Sequence, residues 1–110
     1  MGDINGARPL FSSFAADLGL APVIDGFVLG LAERIDAGQD AYSRRDFKEL
    51  ASLAGALGSE AVAAGFEPLA SCASVIEATS LGQQLESSYL ALVELTELAR
   101  CVRLGHRGAA

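Results

Sequence analysis

The chain of 110 residues is poor in the residue types on which many active sites depend. It has one histidine, His106, and two cysteines, Cys72 and Cys101, which do not form a Cys-x-x-Cys pair. A zinc site and a disulfide framework are therefore not expected, and a reduced, cytoplasmic setting is the default expectation. No nucleophile–base pair, phosphate-binding glycine loop or metal cluster is recognisable, so no enzymatic activity, cofactor or metal site is predicted.

Basic residues are also scarce. Eight Lys and Arg stand against 14 Asp and Glu, which gives a formal net charge of -6. Without a basic stripe to neutralise phosphates, nucleic acid is not an expected partner, and an anionic membrane surface is disfavoured. Charges at Asp25, Glu33 and Arg34 interrupt the longest apolar segment, so no membrane span is predicted. The first residues include an acid and lack the apolar core of a signal peptide.

Apolar residues make up 51% of the chain, and many of them are Ala and Leu, which are strong helix formers. They recur at helical spacing, and no useful period-2 alternation is present, so no strand is predicted. The three prolines, Pro9, Pro22 and Pro68, lie at the edges of the periodic segments. The sequence therefore predicts an all-α fold, an antiparallel four-helix bundle with a short extra N-terminal helix.

Local signals set the expected boundaries of these elements. Residues 1–8 are predicted to be a flexible lead-in, residues 9–104 a helical bundle, and residues 105–110 a frayed tail. Gly38 and Gly65 are expected helix stops. The first two predicted helices run from Pro9 to about Leu18 and from Pro22 to about Ala37. The third begins at about Asp46, which forms a capping box with Glu49, and ends at Ala63 or Ala64; the fourth begins at Glu67. The fifth begins at Ser80, which forms a capping box with Gln83, and runs to about Leu104 with Leu85 and Tyr89 on its apolar stripe.

The stretch from residue 46 to residue 66 carries a family pattern. An acid and an aromatic residue precede Glu-Leu-Ala, and the stretch ends in Gly-Phe. It resembles the histidine-containing phosphotransfer (HPt) domains, in which this helix reads Asp-aromatic-x-Glu-Leu-Ala-x-Leu-Ala-His-x-Leu-Lys-Gly, followed by a Gly-rich stretch ending in Gly-Phe. Here the frame reads Asp46-Phe47-Lys48-Glu49-Leu50-Ala51-Ser52-Leu53-Ala54-Gly55-Ala56-Leu57-Gly58-Ser59 and continues without a gap to Ala64-Gly65-Phe66.

The rest of the chain follows the same frame with less specific motifs. Ile76-Glu77 stands where HPt domains usually have Leu-Glu, and residues 9–14 resemble their lead helix. Residues 31–35 resemble the end of their second helix. The resemblance covers residues 9 to 104. It implies an HPt-like bundle that docks a response-regulator receiver domain or a histidine kinase.

The phosphoryl site of the family is absent. Gly55 stands at the phospho-accepting His, Gly58 at the supporting Lys and Ser59 at the following Gly, while Glu60 adds a negative charge nearby. Glycine supplies no nucleophile, and no base stands beside a serine, so phosphotransfer is not expected. A shifted alignment that places residues 51–55 on the His-x-Leu-Lys-Gly motif also lacks both the His and the Lys. The changes beside Gly55 indicate natural divergence rather than an introduced His-to-Gly change.

Small residues along one strip of this helix suggest a partner surface. A mid-helix glycine costs up to about 1 kcal/mol relative to alanine, so each one needs a reason. Close helix packing accounts for Gly58 as readily as docking does, whereas Gly55 lies further round the helix. We therefore expect a shallow docking surface formed by Lys48, Ala51, Ser52, Gly55, Gly58, Ser59 and Val62.

The other candidate groups are assigned structural or solvent roles. His106 is predicted to be a mobile surface residue rather than a relocated phospho-acceptor. Cys72 is expected to be buried, and Cys101 to be exposed near Glu94 and Glu97, a carboxylate pair attributed to solubility. A basic cluster is expected to be solvated or to flank a docked receiver: Arg44, Arg45 and Lys48.

The sequence thus predicts a degenerate HPt-like signalling protein. It would bind a receiver domain or a histidine kinase as an adaptor, decoy or inhibitor, without carrying phosphate. The alternative is a structural or oligomerising helical bundle unrelated to phosphorelay. A monomer or weak homodimer is expected, whereas a stable homodimer that buries the Gly55 face would favour the alternative.

Overall fold

The computed structural model describes residues 8–109, with side chains as far as residue 106. The predicted lead-in at residues 1–7 and Ala110 lie outside this range. Within it the fold is all-α and contains no strand, which confirms the predicted four-helix bundle. The helices are α1, Ala21–Ser43; α2, Phe47–Ala63; α3, Glu67–Leu81; and α4, Leu85–Ala109.

Helix α2 begins and ends where local signals place it. The Asp46 carboxylate accepts a hydrogen bond from the Glu49 backbone N–H at 3.1 Å, as an N-cap does. The helix ends at Ala63, and Gly65 follows with a φ of +83°, in the left-handed region that glycine adopts readily. A turn of three residues then leads into α3, whose first turn contains Pro68.

Helix α1 continues six residues beyond the predicted end at Ala37, so the prediction that Gly38 stops it is wrong. Gly38 is buried inside the helix. A Cβ there would lie 3.7 Å from Leu50 of α2 and 3.7 Å from Leu92 of α4. The glycine therefore serves close packing of three helices, and the chain turns only at Arg45, whose φ is +59°.

The boundary between α3 and α4 also differs from the prediction. Ser80 does not cap α4. It is buried near the end of α3, and its hydroxyl has no hydrogen-bond partner among the described residues. The chain turns at Gly82–Gln84, with Gln83 at a φ of +54°. Helix α4 starts at Leu85, and Leu85 and Tyr89, which were expected on its apolar stripe, are exposed rather than buried.

The predicted helix from Pro9 to Leu18 is absent. Residues 9–17, here called the strap, instead cross the end of the bundle, and a single 3-10 turn, Leu18–Leu20, joins them to α1. The Leu10 N–H donates to the Cys101 carbonyl, and the Ser13 N–H donates to the Gly65 carbonyl, both at 2.8 Å. These tertiary hydrogen bonds take up the backbone groups that a local helix would use.

Helix α4 continues to Ala109, five residues beyond its predicted end at about Leu104. Gly105 is buried because the strap passes directly over it. A Cβ at this position would lie 2.5 Å from the Leu10 carbonyl oxygen. The strap thus packs against α4 around Cys101 and Gly105.

The core lies between the four helices and extends under the strap. Phe27 of α1 stacks on Phe66 of the α2–α3 turn, with 5.6 Å between the ring centroids. The most deeply buried side chains come from every helix: Leu31, Leu50, Leu69, Ile76 and Val102. Among the described residues, no helix is long and apolar enough to cross a membrane.

Candidate functional site

A shallow groove of about 240 Å³ runs between α2 and α3, and it contains four of the seven residues predicted to bind a partner. Small side chains let the two helices approach each other here. The α2 wall comprises Ala54, Gly55, Gly58, Ser59 and Val62, and the α3 wall comprises Ala70, Ser74 and Glu77.

Gly58 packs directly against α3 at this groove. A Cβ at Gly58 would lie 3.5 Å from the Ala73 Cβ and 3.8 Å from the Ala70 carbonyl oxygen. These are ordinary van der Waals distances, so helix packing accounts for a small residue here. The first atoms of any longer side chain at this position would lie against α3.

Gly55 lies opposite a carboxylate. A Cβ at Gly55 would lie 3.2 Å from Oε2 of Glu77, and among the described residues Glu77 has no ion-pair or hydrogen-bond partner. Glu77 is half-buried and Gly55 is half-exposed. The groove therefore presents a negative charge directly opposite Gly55. The sequence pattern did not identify this residue as part of the site.

The remaining predicted docking residues do not all share this groove. Lys48 and Ser52 are exposed on α2 but do not line it. Ala51 is only 5% exposed and does not line the groove, so it offers a partner little surface. Spacing along α2 places Ala51 near the other small residues. It does not specify which side of the helix packs against the rest of the bundle, and Ala51 lies on a packed side.

Glu60 does not face the groove. Its carboxylate forms an ion pair with Arg34 of α1, on the opposite side of α2 from α3. The acidic group beside Gly55 is therefore Glu77, from the neighbouring helix. A group that approached Gly55 from solvent would meet the Glu77 carboxylate.

The basic cluster at the start of α2 is largely paired within the chain. Arg44 forms ion pairs with Asp40 at 2.9 Å and with Asp46 at 3.4 Å. The Asp40 carboxylate raises the pKa of Arg44, first through their hydrogen bond and then through its charge. Arg45 lies over the Tyr42 ring at 5.0 Å. Lys48 is exposed, consistent with a solvated face.

Cys72 is buried, as predicted, and its thiol donates a weak hydrogen bond to the Ala91 carbonyl at 3.3 Å. Burial raises the pKa of the Cys72 thiol to about 11, with a smaller contribution from the Glu94 carboxylate. Such a thiol is a poor nucleophile near neutral pH. Cys101 is half-buried rather than exposed, because it lies on the part of α4 that the strap crosses.

His106 is not a mobile tail residue. Its Nε2 lies 2.9 Å from Oδ1 of Asp25, which links the last turns of α4 to the first turns of α1. The prediction is wrong because α4 continues through this position and carries the imidazole to α1. In the described part of the chain, no three His, Cys, Asp or Glu side chains are grouped to hold a metal ion.

Comparison with known proteins adds no relative. No protein-family model matches the chain, no curated protein matches it, and no solved structure is similar to it at a significant level. The interpretation of the α2–α3 groove therefore rests on its own residues.

Proposed function

We propose that this chain is a cytoplasmic, HPt-like docking domain that binds a receiver domain or a histidine kinase without carrying phosphate. The observation that supports the proposal is the position of Gly55. It lies on the half-exposed edge of α2, in a groove of small residues, at the place where the family frame has its phospho-accepting histidine. In this proposal the α2–α3 groove serves as a docking surface, and the histidine that would accept the phosphoryl group is replaced by Gly55.

The groove is unsuited to phosphoryl transfer. A transfer site needs a nucleophile with an available lone pair and a positive group to offset phosphoryl charge. Gly55 and Gly58 supply neither, and the serines in the groove have no hydrogen bond to a base among the described residues. The Glu77 carboxylate would repel an incoming phosphoryl group.

The same groove is suited to a protein surface. Its small residues leave α2 and α3 accessible to a partner helix, and Val62 at its edge is 54% exposed. Exposed polar residues on α2, Lys48 and Ser52, can form a solvated rim, as in many transient interfaces. Docking through small residues requires little side-chain ordering.

Phosphate transfer is tested directly with purified proteins. A receiver domain labelled with radioactive phosphate is mixed with this chain, and the label on each protein is followed over time. We expect no label on this chain, while an intact HPt domain in a parallel reaction takes it up. Stable labelling of this chain would refute the non-transferring role.

Docking is tested by NMR titration of the labelled chain with receiver and kinase domains encoded in the same genome. We expect amide shifts to cluster at the α2–α3 groove. Val62→Glu at the groove edge should weaken binding at least tenfold. Leu29→Glu, at a site on α1 that is 78% exposed and outside the groove, is the matched control and should bind normally. Equal affinities for both variants would exclude this docking surface.

A second candidate function, an oligomerising bundle, is favoured by apolar side chains at the start of α4. Leu85, Tyr89 and Val93 follow one another at four-residue spacing, and each is more than two-fifths exposed. Exposed apolar strips of this kind often mark protein contacts. Sedimentation analysis separates the two candidates. A stable dimer that Tyr89→Lys dissociates would favour the oligomerising role, whereas a monomer would exclude it.

A further inference from the structure

A partly open cavity of about 170 Å³ lies under the strap, separate from the α2–α3 groove. Four separate segments form its wall, so it exists only in the folded chain. The strap contributes Leu10, Phe11, Ser12 and Ala15, α1 contributes Ala21, Ile24 and Asp25, the α2–α3 turn contributes Phe66, and α4 contributes Gly105 and His106.

The wall is mainly apolar and includes two aromatic rings. Phe66 is almost fully buried, whereas Phe11 is 56% exposed beside the cavity. A molecule that occupied the cavity would cover part of the Phe11 ring and gain the associated hydrophobic free energy. A cavity of about 150 Å³ is large enough to bind benzene, so a single six-membered ring matches the space available here.

The titratable residues of this wall, Asp25 and His106, are hydrogen-bonded to each other. An ionised carboxylate can only accept a hydrogen bond, so the Nε2–H group of His106 is assigned as the donor to Oδ1 of Asp25. In the neutral imidazole the other nitrogen, Nδ1, is then an acceptor. Among the described residues Nδ1 has no hydrogen-bond partner.

Ser12, the other polar side chain of the wall, is already satisfied. Its hydroxyl donates to the Ala64 carbonyl at 2.6 Å and accepts from the Phe14 N–H at 3.0 Å. The open hydrogen-bonding capacity of the cavity therefore lies with the His106–Asp25 pair. This pair offers an acceptor and a negative charge, so it favours a neutral hydrogen-bond donor over an anion.

We propose that this cavity is a binding site for a small, uncharged molecule with one six-membered aromatic ring and one hydrogen-bond donor, of the phenol type. The ring lies between Ile24, Phe66 and Phe11, and its donor group bonds to the imidazole of His106. This site is separate from the α2–α3 groove and does not depend on the function proposed for that groove.

The test is an NMR titration of the labelled chain with three probes of nearly equal size: p-cresol, toluene and benzoate. We expect saturable shifts of the amides around Ile24, Phe66 and His106. Affinity for p-cresol should exceed that for toluene by about three- to tenfold, because one hydrogen bond is gained. Benzoate should bind more weakly than p-cresol, since Asp25 repels it.

Two variants separate the cavity from its polar pair. Ala21→Leu should fill the space and abolish binding of both neutral probes, whereas Ala32→Leu, at an exposed position of the same helix, should leave binding unchanged. His106→Phe retains an aromatic ring and should remove the preference for p-cresol while toluene still binds. The amide spectrum of each variant shows that it is folded.

Three results would overturn the proposal. The first is the absence of saturable shifts with any probe up to its solubility, which would mean that the cavity holds only water. The second is unchanged binding in Ala21→Leu. The third is an unchanged ratio of p-cresol to toluene affinity in His106→Phe.

Discussion

Gly65 is the residue on which the strap depends. Its φ of +83° turns the chain from α2 into α3, and its carbonyl accepts the Ser13 N–H. A Cβ at this position would overlap the Ser12 hydroxyl and lie 2.9 Å from the Phe14 ring. The backbone conformation and the close approach of the strap therefore both require glycine at this position. Neither of these two reasons requires a glycine at Gly55.

Gly65→Ala should lower the free energy of unfolding by about 1 to 3 kcal/mol, because the residue is forced into a left-handed conformation and the strap is displaced. Urea unfolding measures this change. Gly26→Ala is the control, since nothing lies within 4 Å of a Cβ there. It should stabilise α1 by up to about 1 kcal/mol. Equal effects of the two substitutions would contradict this account of Gly65.

The two cysteines should differ in reactivity. Cys72 is buried with a pKa of about 11, so little thiolate is present at pH 8. Iodoacetamide at that pH should label Cys101 and leave Cys72 unmodified until the chain is unfolded by urea. Peptide mass spectrometry locates the label. Rapid labelling of Cys72 in the folded chain would show that it is accessible.

The same pKa shift of Cys72 ties stability to pH. Folding favours its neutral thiol, so this contribution is complete below pH 9 and is lost as the pH rises towards 11. The urea midpoint of the native chain should therefore fall more steeply across this range than that of Cys72→Ala. Parallel pH profiles for the two proteins would rule out a contribution from Cys72.

At the scale of whole elements, helix α2 is the part of the fold best defined by its own sequence. Its N-cap and its final glycine act within a few residues along the chain, and both are seen in the structure. Asp46→Ala should therefore cost about 1 kcal/mol of stability in urea unfolding. Asp36→Ala, an exposed acid within α1, is the control and should change stability little.

Elements whose limits depend on other elements were not predictable from local signals. Gly38 was expected to stop α1, but α2 and α4 pack against it and the helix continues. The strap was expected to be helical, but its backbone bonds to the α2–α3 turn and to α4. In each case a contact between distant residues outweighed a weak local preference.

In the candidate site, too, some features follow from local sequence and others depend on contacts between distant residues. Gly55, Gly58, Ser59 and Val62 share the groove because residues three and four apart lie on one helix face, which spacing alone predicts. The position of Glu77 opposite Gly55 depends on how α3 aligns with α2, and no local pattern specifies that. The His106–Asp25 contact joins residues 81 positions apart and was missed for the same reason.

At the scale of the whole molecule, the strap joins parts of the fold that the helices leave separate. Truncation of residues 1–13 removes three hydrogen bonds from the strap to the rest of the fold, those donated by the Leu10 N–H, the Ser12 hydroxyl and the Ser13 N–H. We expect the free energy of unfolding to fall by roughly 2 to 4 kcal/mol. The helical circular dichroism signal should be almost unchanged, because residues 8–13 are not helical. A large loss of that signal would mean that the helices need the strap to form.

The strap also constrains the order in which the chain folds. Its acceptors, the carbonyls of Ala64, Gly65 and Cys101, have their native positions only after the α2–α3 turn and the end of α4 have formed. The strap precedes these acceptors in the sequence, so its native hydrogen bonds form only after segments that follow it have folded. In the folded state, the amides of Leu10 and Ser13 should exchange with solvent well before those at the centre of α2.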